Sequence, residues 1–156
     1  MKIGPNLEVM NSKATKEIMK MIYDQFGIIH KFEFAFTKNS KDKIYVINRD
    51  VERISFDKLR IDSAGLYIGT IQPDGFRPSI EGAQLLGKFA TKNVIEITLE
   101  QKHDWMKGND IDLPREEERI VIVKWNNDFV GAGKIKNGKL LNAIPKSRRL
   151  IVVNEE

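Results

Sequence analysis

An α+β fold is predicted: a small N-terminal α/β unit followed by a small mixed β barrel that carries two short helices. Three observations lead there. Near the N-terminus Ile18, Met21, Ile22 and Phe26 recur at helical spacing and make one apolar stripe. Directly after it, IHKFEFAF and KIYVI show the alternation and β-branched content of strands. Beyond about residue 63, five or six short strand-like runs are separated by turn signals, the pattern of a small barrel.

Taken in order, Asn11 or Ser12 caps the first helix, which runs to about Phe26 and stops at Gly27. In IHKFEFAF, His30, Phe32, Phe34 and Phe36 share one face, while Lys31 and Glu33 point away. KNSKD is the turn into the KIYVI strand, and RDVERISFDKL continues irregularly with a short helical turn. A boundary near Ser63 divides a unit over 1–62 from one over 63–156, without linker composition to mark it. GLYIGTI is the next strand, closed by Pro73-Asp74-Gly75. Pro78-Ser79 opens a short helix, SIEGAQLL, ended by Gly87. NVIEITL is a strand feeding the helix EQKHDWMK, which Gly108 stops, and NDIDLPREEE is an acidic solvent loop. RIVIVKW is a buried strand, Asn126-Asn127-Asp128 turns into FVGAGKIK, and Asn137-Gly138 is a type I′ hairpin signal into KLLNAI. RRLIVV closes the fold as a final strand.

Composition narrows the function classes. The 156 residues are 41% hydrophobic and 31% charged, a globular balance rather than a disordered one. No apolar run approaches the ~20 residues that span a bilayer, and MKIGPNLEVMNSK lacks the apolar core of a secretory signal. The expectation is a cytoplasmic protein without a membrane partner. Net charge is only +4, but six of the 26 basic residues lie between Lys134 and Arg149 with no acidic residue among them. The remaining 20 face 22 acidic ones, so the positive character is local. A confined basic tract is an electrostatic footprint for a polyanion; the same run also reads as a solvated lysine-rich hairpin.

No motif for chemistry is found, and neither an enzyme nor a cofactor is expected. Without cysteine there is no thiolate nucleophile and no cysteine-type zinc site. His30 and His103 are far apart in sequence, the first on a phenylalanine face and the second on a surface helix. G-x-S-x-G, G-x-G-x-x-G and the Walker A pattern are missing. Gly131-Ala132-Gly133 lies inside a strand, where glycines permit a bend or the close approach of another backbone. Asp110, Asp112, Glu116, Glu117 and Glu118 do not have EF-hand spacing, and Pro114 interrupts them.

SIEGAQLLG followed by a G-x-G strand resembles PUA-like domains, small pseudo-barrels of RNA-modifying enzymes and ribosome assembly factors. The nearer resemblance, over roughly residues 64–150, is to the C-terminal PUA-like domain of RsmF-type RNA cytosine-5 methyltransferases. It rests on Pro78-Ser79, on Trp105-Met106-Lys107-Gly108, on Gly131, Gly133 and Lys134, and on the tail Lys136-Asn137, Pro145-Lys146 and Arg148-Arg149. Tryptophan stands at 105 where the family pattern has tyrosine. The order of a small α/β unit before such a domain, with FEFAF, KIYVI and Asp50-Val51, also resembles archaeal and eukaryotic pre-PUA proteins of ribosome biogenesis. The resemblance implies a mixed β pseudo-barrel that binds rRNA or tRNA without altering it, during RNA modification or ribosome assembly. The alternative is a protein-interaction module that docks on an RNA methyltransferase or assembly factor.

The candidate RNA-binding residues follow from charge and from this resemblance. Lys134 and Lys136 share a strand face, and Asn137 and Lys139 flank them across the turn. Lys146, Arg148 and Arg149 complete the tract, and only one of the two arginines faces RNA if a strand carries them. Arg77 precedes the first barrel helix, beside Ser79, which is best read as a plain N-cap. Lys88 and Lys92 flank the loop after that helix, where the resemblance places RNA contacts. Trp105, Trp125, Phe76 and Phe129 can stack on bases, but a barrel this small needs its large side chains inside.

Overall fold

A computed structural model describes residues 7–47 and 65–151. The first sheet runs β1 (Leu7–Val9), β2 (Ala35–Asn39), β3 (Lys43–Ile47), β4 (Leu66–Gln72) and β5 (Gly75–Pro78), each strand pairing antiparallel with the next. Helix α1 (Ser12–Phe26) starts where the Asn11 side chain accepts from Ala14 N–H and ends at Gly27, whose φ of 60° closes the last turn. After β5 come α2 (Ile80–Gly87), β6 (Val94–Glu96), α3 (Leu99–Met106), β7 (Ile111–Asp112), β8 (Arg119–Trp125), β9 (Asp128–Lys136) and β10 (Lys139–Asn142). These strands form a second sheet in the order β6-β8-β9-β10-β7. Only its β6–β8 pair is parallel, so the sheet is mixed and the molecule α+β. Thr98 and Gln101 cap α3 reciprocally, which lets a helix this short begin sharply.

Two expectations need correction. IHKFEFAF is not one strand: ladder pairing begins at Ala35. The alternation is nevertheless real, with Phe32 buried between exposed Lys31 and Glu33. Its backbone finds partners outside a sheet, as where Phe32 N–H donates to the Tyr23 hydroxyl at 3.2 Å. The rings stack instead, His30 lying 3.9 Å from Phe89 and nearly parallel to it. RRLIVV likewise makes no strand over its described residues. Lys146–Arg148 is a 3-10 turn, and Leu150 N–H then bonds Met106 O at 2.8 Å. Both sides of β10 are already occupied, by β9 and by β7, so a further strand has no place beside it. Strands β1, β5 and β7 were not anticipated, because runs of two to four residues carry no period. RDVERISFDKL, Asp50-Val51 and the boundary at Ser63 lie outside the described residues.

The apolar side chains gather in two clusters. One joins Ile22 and Phe26 of α1 to Phe32, Phe36, Ile44, Ile68 and Phe76, and takes in Ala83 and Leu86 of α2 and Ile122 of β8. The other gathers Ile95, Trp105, Ile111, Val121, Val123, Ile135, Leu140 and Ile144 around the second sheet. Helix α2 thus contributes to the first cluster although it follows the first sheet in sequence. Gln25 adds a polar tie: its amide donates to Phe76 O and accepts from Phe76 N–H, both at 2.8 Å. The 88–93 loop is tied as well, with Thr91 N–H on Phe26 O at 2.8 Å and Asn93 bonded to Gln25 O.

Candidate nucleic-acid interface

The basic tract begins on the β9–β10 hairpin. Asn137 (φ 53°) and Gly138 (φ 74°) are both left-handed, as a type I′ turn requires. Lys134 and Lys136 lie on one face, as period two dictates, but they do not face solvent alone. Lys134 sits 2.6 Å from Asp74 and 3.2 Å from Glu118, and Lys136 is 3.9 Å from Glu118. Lys139 reaches Asp112 at 3.1 Å across the β10–β7 pair. The hydrogen bond from Lys134 holds the Asp74 carboxyl below its ordinary value. Its bonds to Asp74 and then Glu118 raise the lysine in turn. All three hairpin lysines are therefore matched by carboxylates. The 110–118 segment is not a free acidic loop, since Asp112 and Glu118 fold onto this hairpin.

The tail divides differently. Lys146 is exposed and makes no ion pair among the described residues. Arg148 bonds Glu81 on α2 at 2.7 Å. Arg149 turns inward: its Nε donates to Ile144 O at 3.1 Å, and its side chain lies against Gly108. Arg77 is half-buried in a small cleft of about 80 Å³ shared with Ser79, Glu81 and Arg148. Ser79 is fully used, accepting from Gly82 N–H at 2.9 Å and donating to Tyr67 O at 2.7 Å. The N-cap reading of Ser79 holds.

Lys88 and Lys92 come together in a groove of about 470 Å³ that Lys124, Asn127 and Phe129 complete. Lys88 follows directly on the end of α2, and the loop to Lys92 is pinned because Thr91 and Lys92 N–H both bond Phe26 O. Lys124 enters from the end of β8, just past a shift in its register with β9. No carboxylate lines this groove, and none of its three lysines makes an ion pair among the described residues. Its floor is partly aromatic, with Lys124 Nζ 5.7 Å from the centre of the half-exposed Phe129 ring. Lys124 and Asn127 escaped sequence reasoning, which read RIVIVKW as a buried strand and the asparagine as a turn residue. The break from apolar residues to Lys124-Trp125 was the available signal.

Of the other aromatics, Trp105 and Phe76 are fully buried, and the Trp105 indole donates to Val130 O at 3.0 Å. Trp125 is half-exposed under Lys102, whose Nζ lies 4.0 Å from the ring centre. The two glycines of β9 act differently: a Cβ on Gly133 would lie 2.5 Å from Leu141 O and 2.7 Å from the Trp105 ring, whereas Gly131 has room for one but holds a φ of 119°. Among the described residues no group of three His, Cys, Asp or Glu side chains is placed to hold a metal ion. Nor is any helix among them long and apolar enough to cross a membrane.

Residues 92–150 match a family model described as the methyltransferase RsmF PUA domain. Over 142 residues, 87% of this chain, it is 25% identical to the ribosomal RNA small subunit methyltransferase F of Vibrio parahaemolyticus. Identity is 27% to the protein of that name from Vibrio campbellii, and 26% over 137 residues to that from Aeromonas salmonicida. The chain spans less than a third of these relatives, 29% of the Vibrio proteins and 28% of the Aeromonas one. The relatives are bacterial, so the likeness to archaeal and eukaryotic pre-PUA proteins rests on layout alone. The matched residues are those that build the second sheet from β6 to β10, with α3 and the tail to Leu150. The chain carries a PUA-like domain similar to that of the RsmF-type RNA methyltransferases.

Proposed function

We propose that this chain binds ribosomal RNA in the cytoplasm and does not itself alter it, serving as a recognition module in rRNA methylation. The groove of Lys88, Lys92 and Lys124 carries the reading, because among the described residues no carboxylate lines it or pairs with its cations. Phosphates can neutralise them with release of counterions, and Asn127 and Phe129 add an amide and a ring face for a base. The relatives, named as rRNA methyltransferases, support the rRNA context. Their greater length supports a catalytic portion acting together with this one.

Lys146 extends the proposed contact surface as a further exposed cation. The rest of the tract, Lys134, Lys136, Asn137, Lys139, Arg148 and Arg149, with Arg77, contributes less in this reading. Most of its charge is already spent on Asp74, Glu81, Asp112 and Glu118.

Fluorescence anisotropy with labelled small-subunit rRNA fragments tests the proposal. K88A/K92A/K124A should weaken binding on the order of tenfold and flatten the salt slope by about 2, at roughly 0.7 per phosphate contact on single strands. K134A/K136A/K139A should cost much less. If the unaltered protein shows no affinity for these fragments at low salt, the reading fails.

A further inference from the structure

A larger groove lies well away from the matched domain in sequence, between α1 and the chain that enters β2. It measures about 750 Å³ and is lined by Met10, Thr15, Met19, Tyr23, Phe32 and Phe34, with Lys16, Lys20, Lys31 and Asp24 among its polar groups. Phe32 is buried, whereas Tyr23 and Phe34 are half-exposed and offer ring surface to an occupant. Phe32 and Phe34 are nearly parallel, their centres 6.1 Å apart. The three lysines are exposed and make no ion pair among the described residues, so the rim holds three cations against one carboxylate. Nor does the first turn of α1 carry any acidic residue.

An apolar partner would leave three lysines unmatched, and an acidic protein would gain little from ring faces. A single-stranded nucleic acid uses both: phosphates meet the lysines, and unpaired bases lie on the aromatic floor with little regard to sequence. We infer that this groove is a second RNA site, taking an unpaired stretch of the same RNA that the Lys88–Lys92–Lys124 groove engages. The inference rests on the RNA-binding reading above, and it assigns the N-terminal unit a direct part in recognition.

The test uses the full chain and a fluorescein-labelled oligouridylate, with the rRNA fragments measured in parallel. K16A/K20A/K31A alters exposed side chains only; it should lower oligouridylate affinity on the order of tenfold and flatten the salt slope by about 2. F34A should lower it by a similar factor through lost stacking. F34L, which keeps apolar packing but lacks a ring, should reproduce the loss if stacking rather than stability is responsible. Unchanged affinity and slope in K16A/K20A/K31A would overturn the inference. If rRNA binding persists and only K88A/K92A/K124A weakens it, the second site falls while the function stands. Normal probe binding by the K16A/K20A/K31A protein, together with loss of a protein partner, would reassign the groove to that partner.

Discussion

Gln25 shows how one side chain can act as backbone. Its amide pairs with both the N–H and the C=O of Phe76, as a neighbouring strand residue would, and so joins α1 to β5. Gln25→Ala leaves both groups without that partner and should cost about 1–3 kcal/mol in urea denaturation. Gln25→Glu should recover little, because a carboxylate cannot donate to Phe76 O. Gly133 is a second such position. Gly133→Ala forces a methyl between Leu141 O and the Trp105 ring and should destabilise by about 1–3 kcal/mol. Near-ultraviolet circular dichroism would register the displaced indole, and wild-type stability in this variant would contradict the packing argument.

At the scale of elements, the β9–β10 hairpin and the segments that face it form a charge-matched unit. Asp74 comes from the β4–β5 turn, Asp112 from β7 and Glu118 from the residue before β8. The Asp74 carboxyl titrates below its ordinary value, so the pair stabilises the fold above that value. The contribution is lost as pH falls from about 4 through the lowered one. Lys134, raised, adds stability that persists below the ordinary lysine value and disappears only as pH climbs past the raised one. The pair is solvent-accessible and its effect is small. Acid unfolding of D74N should therefore begin from slightly lower stability and show a shallower pH dependence near pH 4. The same matching predicts that D74N/D112N/E118Q strengthens RNA binding and steepens its salt dependence, since Lys134, Lys136 and Lys139 are released to phosphates. Equal affinities in anisotropy titrations would show that this face never meets RNA.

For the whole molecule, the first apolar cluster reaches from Ile22 to Ile122 and takes side chains from α1, from both sheets and from α2. Strands β3 and β4, on either side of residues 48–64, are neighbours in one sheet. Chain segments that share a sheet and a cluster lose their packing together. Urea unfolding followed by tryptophan fluorescence, which reports on Trp105 and Trp125 after residue 63, should coincide with far-ultraviolet circular dichroism in one transition. A fragment starting at residue 63 should lose cooperativity, because Ile68, Phe76, Ala83 and Leu86 would be left exposed. Two separated transitions in the full chain would argue that the units fold independently.

Much of this architecture was legible in the sequence because local rules decide it. Asn11, Ser79 and the αL glycine at 27 cap their helices wherever the chain goes, and Asn137-Gly138 makes its turn because both residues tolerate positive φ. The helical stripe and the buried run of β8 were equally plain, since period and β-branching act within a few residues. The PUA-like resemblance was readable from its short motifs. What the tertiary structure alone decided was pairing at a distance. A carboxylate is invisible to a charge count along the tract when it stands as far off as Asp74 does from Lys134. Likewise Lys88, Lys92 and Lys124 become one groove only after α2 and β8 pack together. The basic tract is thus a property of the sequence, whereas which cations remain open to an anion is a property of the fold. Coulomb attraction depends on separation in space, and the chain order does not contain that distance.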